Sequence, residues 1–167
     1  MRLVLVAAAF IGVGSGTAAL ALDVGTQAPA FDLPVFGQNE KHVALAQARG
    51  KVVLVDFWAS WCGPCRQSFP WMNAMQAKYA GKGLQIVGVN LDAHRSDADK
   101  FLAEVPATFS VAFDAQGETP KRYAIKGMPT SVLIGPDGRV IQMHSGFRDE
   151  DRKALEDAIA GALSATH

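Results

Sequence analysis

Two cysteines stand three residues apart in Trp61-Cys62-Gly63-Pro64-Cys65, and the 167-residue chain has no others. A thiol acts as a nucleophile only as its thiolate, so what matters is whether the surroundings favour the charged form. The pair follows residues 51–58 (KVVLVDFW), an almost unbroken run of β-branched and aromatic side chains that predicts a strand covered on both faces. From Gly63 onward Phe69, Met72, Met75, Gln76 and Tyr79 recur at helical spacing. A cysteine between that strand and that helix meets the unpaired N–H groups and the positive dipole end of the helix, which lower its pKa. Cys62 is therefore the nucleophile of the two. One helical turn brings Cys65 back within bonding distance of Cys62, so the two can close and open a disulfide with little backbone movement. Pro64 suits the first turn, where its missing N–H costs nothing.

The elements around this pair follow from pattern. Residues 28–34 (APAFDLP) are extended and turn at Gly37-Gln38-Asn39 into a short strand at 42–44, giving an N-terminal hairpin. Pro70 is expected to kink the cysteine helix and Gly81 to end it. Residues 84–91 (LQIVGVNL) read as a second buried strand. Ser96 or Asp97 is expected to cap a short helix that stops at Pro106, followed by a strand at 109–113, and residues 117–124 can form one more short helix. Strands at 130–134 and 139–144 are joined by Pro136-Asp137-Gly138, a hairpin turn by its chemistry. Asp149, Glu150 and Asp151 favour the start of a last helix, striped with Leu155, Ala158, Ile159 and Leu163. This order of elements predicts an α/β fold, a mixed central sheet with helices on both faces.

Composition narrows the function classes. Sixteen basic and sixteen acidic residues leave a formal charge of zero, which offers nucleic acid no general attraction. Hydrophobic residues at 49% and charged residues at 19% exclude a disordered chain. Zinc needs four ligands, and His42, His94, His144 and His167 show no paired spacing near the cysteines, so no metal is expected. A structural disulfide between residues three apart would close a tiny loop and stabilise little. Asp56 is the exception within the 51–58 strand, because a carboxylate is costly to bury. Beside a cysteine pair it reads as a proton acceptor for Cys65, its pKa raised by desolvation.

Val55-Asp56-Phe57-Trp58-Ala59-Ser60-Trp61-Cys62-Gly63-Pro64-Cys65 resembles the active-site segment of thioredoxins, and Tyr123-Ala124-Ile125-Lys126-Gly127-Met128-Pro129-Thr130 is similar to their second signature. The resemblance implies that Pro129 is a cis-proline lying against the cysteine pair, that the Met128 backbone pairs with an incoming substrate chain, and that Trp61 flanks Cys62 at the substrate surface. Gly63 and Pro64 complete the active-site motif. A helix and strand between Asn90-Leu91-Asp92 and Gly117, together with the Ala28-Pro29-Ala30-Phe31 opening, resemble the exported TlpA-like and ResA-like branch. Two departures stand out. Members of that branch often carry Asn at the position of Asp56 and Glu at the position of Ser68. Plain thioredoxins place a Lys where this chain has Gly88, so Asp56 lacks that cationic neighbour.

By this resemblance the protein is a thiol:disulfide oxidoreductase with no cofactor, acting on disulfide-bonded protein substrates. The Gly-Pro between its cysteines is similar to that of reducing thioredoxins rather than DsbA-type oxidants, which implies a reductase recharged by a membrane thiol-transfer protein. Apocytochrome c, an oxidase-assembly factor or damaged envelope proteins all fit as substrates. A rival reading is a binding module, a chaperone or copper carrier that uses the dithiol as a grip; related copper carriers typically have a longer cysteine spacing and an assisting His. Peroxiredoxin chemistry fits less well, since Ser60 and Trp61 precede Cys62. Residues 1–21, with Arg2, an apolar stretch and a closing Ala19-Leu20-Ala21, read as a cleaved signal peptide ahead of a thioredoxin-like domain at 22–167, which places the protein in the periplasm. The alternative is a membrane anchor facing the periplasm, for which the apolar run is short.

Overall fold

The computed structural model describes residues 22–38 and 41–165. The signal-segment expectation for residues 1–21 lies outside the described residues. Among the described residues seven strands and four α-helices follow the expected order: β1 (Asp32–Pro34), β2 (His42–Ala44), β3 (Val52–Trp58), α1 (Gly63–Tyr79), β4 (Leu84–Asn90), α2 (Arg95–Glu104), β5 (Ser110–Phe113), α3 (Glu118–Arg122), β6 (Thr130–Ile134), β7 (Val140–Ser145) and α4 (Asp151–Ser164).

The main sheet has the order β5-β4-β3-β6-β7. β3 runs parallel to β4 and antiparallel to β6, and all seven of its residues are buried. That central position explains its lack of polar alternation. Val53, Val55 and Phe57 point into a core shared with Phe31, Val43 and Tyr123. Leu54 and Trp58 point the other way, into a core built with α1, α2 and α4. Trp58 packs there against Phe69 and Phe101 at centroid distances of 4.8 and 4.7 Å, and Phe69 reaches Phe109 at 5.2 Å. Pairs of this geometry add about 0.5–1.5 kcal/mol each beyond their area.

The N-terminal hairpin β1-β2 extends onto the edge strand β5 through a bridge between Val35 and Ala112 and a hydrogen bond from Phe36 N to Val111 O of 2.7 Å. This covers part of an edge that would otherwise expose unpaired backbone groups. On the same side of the molecule Tyr123 donates its hydroxyl to Pro29 O at 2.8 Å.

Three local expectations are corrected: the residue that turns the chain after α1, the cap of α2 and the length of α3. α1 continues through Pro70 to Tyr79, and one 3-10 turn at Ala80–Lys82 follows. The left-handed residue that turns the chain toward β4 is Gly83, with φ 98°, rather than Gly81. α2 begins earlier than expected, with His94 at the N-cap and no side-chain cap bond. Asp97 instead sits in the first turn, where its charge suits the dipole. The short helix α3 spans only Glu118–Arg122 of the expected 117–124.

Candidate active site

Cys62 is the N-cap of α1, in extended backbone, and Cys65 lies in the first helical turn. The two are joined by a disulfide with their Cα atoms 5.3 Å apart. Their exposures differ in a useful way, Cys62 at 4% and Cys65 at 0%. Cys62 is the more exposed residue of the two. Trp61 next to it is 73% exposed, and Gly63 and Pro64 are exposed as well, so an apolar ring stands free at the rim of the disulfide.

The Met128–Pro129 peptide bond is cis. Met128 packs against the same core cluster as Cys62 and Cys65, which brings the second signature to the cysteine helix. Pro129 O accepts from Gly146 N at 2.8 Å and Thr130 Oγ1 donates to Gly127 O at 2.7 Å, so the loop is held on both sides of Met128.

Asp56 is fully buried in β3, on the face shared by Leu54 and Trp58, which packs against α1, α2 and α4. Ser131 of β6 stands directly opposite it and donates its hydroxyl to Asp56 Oδ1 at 2.6 Å. Oδ2 has no hydrogen-bond partner. Burial outweighs the serine bond and pushes the Asp56 carboxyl up to about 7. On the other flank the register pairs Asp56 with Gly88. A Cβ at Gly88 would lie 3.0 Å from Phe109 and 3.2 Å from Trp58 Nε1, so aromatic packing occupies the space that a lysine there would need. Ser68 is buried but turns its hydroxyl back onto Cys65 O at 3.1 Å and brings no charge.

Sequence reasoning missed a second buried carboxylate. Asp92, 3% exposed, accepts the Ser60 amide at 3.0 Å, the Ser60 hydroxyl at 2.9 Å and the Asn90 side-chain amide at 2.8 Å. Asn90 Oδ1 in return accepts the Asp92 amide at 3.1 Å. The end of β4 is thus tied to the β3–α1 loop that delivers Trp61 and Cys62. Asp92→Ala would leave several donors without an acceptor and is expected to lower stability by about 2–4 kcal/mol. Thermal or urea unfolding checks this; a variant as stable as its parent would show that the loop is held by other contacts.

A thioredoxin-like sheet with a disulfide at the N-terminus of its central helix and a cis-proline loop beside it defines the class of thiol–disulfide oxidoreductases. The Redoxin family model matches residues 23–159. The thiol-disulfide oxidoreductase ResA of Oceanobacillus iheyensis is 37% identical over 131 residues, covering 77% of this chain and 68% of that protein. ResA of Bacillus subtilis is 31% identical, covering 75% and 69%. Among solved structures, a Chlorobium tepidum protein assigned as thiol:disulfide interchange protein DsbE is 59% identical with a TM-score of 0.82, covering 86% of this chain and 99% of that one. The chain belongs to the Redoxin family, in its TlpA-like and ResA-like branch.

Proposed function

We propose that this protein is a periplasmic reductase of protein disulfides. The observation that carries the reading is the Cys62–Cys65 disulfide at the α1 N-terminus, with Cys62 its more exposed residue and Asp56 buried on the sheet face that α1 helps to cover. In the working direction the Cys62 thiolate attacks a substrate disulfide and a mixed disulfide forms. Cys65 loses its proton to Asp56 and attacks Cys62, which releases the substrate as a dithiol and leaves the enzyme oxidised. Trp61 and the Met128 backbone would receive the substrate chain. Among the described residues, the N–H and C=O of Met128 make no hydrogen bond, so both are free for an extended segment. A membrane thiol-transfer protein would return the electrons.

The reductase direction rests on Gly63-Pro64, which brings no side chain to stabilise the Cys62 thiolate. Equilibration with glutathione should give a reduction potential of roughly −200 to −270 mV, near that of thioredoxin. A value close to about −120 mV, the range of DsbA, would make the protein an oxidant. Catalysed reduction of a disulfide-bonded protein by the pre-reduced chain tests the activity itself. Tight copper(I) binding without such turnover would favour the carrier reading instead. Export is supported by the Arg2, apolar stretch and Ala19-Leu20-Ala21 pattern. Fractionation of the producing cell, with the N-terminus of the protein read after purification, should find it outside the cytoplasm and starting at Leu22.

A further inference from the structure

The row of residues that crosses the sheet at Asp56 does not end at Ser131. In the antiparallel register Asp56 stands opposite Ser131, and Ser131 stands opposite His144 of β7. Directly opposed residues of an antiparallel pair put their side chains on the same face, with Cβ atoms about 4.5–5.5 Å apart. Asp56, Ser131 and His144 therefore form one polar line on the face that α1 and α4 cover. A narrow crevice runs beside it, lined by Ser131 and His144 together with Leu54, Leu133, Leu155 and Ile159.

Each end of the line carries a buried polar atom without a hydrogen-bond partner, Asp56 Oδ2 at the inner end and His144 Nε2 at the outer. Such atoms are rare in folded proteins and call for an explanation. Nε2 is buried while the His144 side chain as a whole is 25% exposed, so solvent meets other atoms of that side chain. Its Nε2 lies 3.4 Å from Asp151 Oδ2 at the start of α4. Asp151 Oδ2 in turn accepts the Arg148 amide at 2.8 Å and faces the Arg148 guanidinium at 3.7 Å, which also meets Glu150 at 3.0 Å. The charged groups around His144 are thus one carboxylate in direct contact and one arginine behind it.

We propose that His144 is the proton exit of the active site, connecting Asp56 to solvent through Ser131. This rests on the reading of Asp56 as acceptor for Cys65. The proton taken from Cys65 is held on the Asp56 carboxyl. The acid then donates to Ser131 Oγ, and the serine hydroxyl, bonded to Asp56 at rest, turns outward and passes its own proton to a ring nitrogen of His144, its neighbour across β6 and β7. The imidazolium, facing Asp151, releases it to bulk solvent, and the carboxylate is ready for the next turnover. No electron moves along this line. The departing substrate thiolates take their protons from solvent, so the overall exchange stays balanced.

The test separates the two steps of exchange by rapid mixing of the reduced protein with a disulfide-bonded substrate. His144→Gln keeps a polar side chain but cannot accept and release a proton. It is expected to leave mixed-disulfide formation at Cys62 unchanged and to slow resolution by about 3- to 10-fold, less than loss of a direct general base would cost. Free imidazole in the buffer should restore most of that loss, which a purely structural effect would not allow. Ser131→Ala cuts the line on the inner side; it should slow resolution likewise, with no rescue by imidazole. Parent resolution rates for His144→Gln across pH 6 to 8, or a loss that imidazole leaves untouched, would overturn the exit route. If Asp56→Asn is slow and His144→Gln is not, only the route fails; if both match the parent, the reading of Asp56 fails with it.

Discussion

Cys65→Ser should accumulate mixed disulfides through Cys62 whenever the reduced variant meets a disulfide-bonded protein, whereas Cys62→Ser should trap almost nothing. The asymmetry has two sources. Cys62 is the N-cap of α1, where the helix end stabilises a thiolate, and it is the cysteine that retains some exposure. Cys65 is fully buried and one turn further on, positioned to reach Cys62 but not a substrate. Without Cys65 the covalent intermediate has no internal thiol to resolve it, so it persists. Non-reducing gels of the purified variants with an oxidised model protein, or of envelope extracts from the producing cell, give the measurement. The expected difference is at least about tenfold in trapped protein, given how steeply exchange depends on access and thiolate fraction. Equal trapping by both variants would remove the division of labour. Substrates recovered on the Cys65→Ser protein would also identify the disulfide-bonded partners.

The buried strands were the most legible part of the chain. β3, β4 and β6 fall within a residue of their expected bounds, because a strand covered on both faces writes itself as a continuous apolar run between turn residues. The cysteine pair was equally plain, since its strand-to-helix setting is local in sequence. Helix ends were less so. α2 starts at Arg95 without a side-chain cap, and nothing in Ser96 or Asp97 announces that His94 precedes the first turn. Gly83 rather than Gly81 turns the chain because a 3-10 turn follows α1, which the composition of Ala80-Gly81-Lys82-Gly83 leaves open.

What the sequence hid was the polar shell around the cysteines. Ser131 meets Asp56 across 75 residues of chain, and the pairing exists only because β6 docks antiparallel to β3 in one particular register. A shift of one residue would have put Val132 there. Asp92 reaches Ser60 in the same way, from the end of a neighbouring strand. An Asn-Leu-Asp sequence after a strand carries no signal that its carboxylate will be buried and saturated with donors. His144, half-hidden at the edge of the sheet, stands 88 residues from Asp56 in the chain, and no local pattern ties the two together. The carboxyl in the middle of an apolar strand was legible because it broke a local pattern; its partners broke none.

Asp56→Asn should fold, gain stability at neutral pH and lose catalytic rate. The stability argument follows from linkage. The Asp56 carboxyl stands near 7 in the folded protein against 3.8 for an ordinary aspartate, so the folded state binds its proton more tightly than the unfolded state does. Below about pH 4 the group is neutral in both states and contributes no penalty; from there to about pH 7 the unfolded chain ionises first, and stability falls as pH rises. Above the folded value the penalty levels off, at a ceiling on the order of 4 kcal/mol for a shift of this size. Asparagine removes that dependence but brings an amide whose donors lack a partner, at a cost of about 1–3 kcal/mol. The two effects oppose each other, so urea unfolding should show the variant stabilised by roughly 2 kcal/mol at pH 8 and level with its parent, or below it, at pH 4. The rate moves the other way. Asparagine cannot accept the Cys65 proton, so resolution should slow by about 10- to 100-fold, the low end of general-base effects, while attack by Cys62 is less affected. A variant that turns over at the parent rate from pH 6 to 8 would reduce Asp56 to a structural residue, and Cys65 would need another proton acceptor. A stability gain that does not grow between pH 4 and pH 8 would show that the carboxyl titrates as it does in the unfolded chain, and desolvation could not then tune it for the exchange.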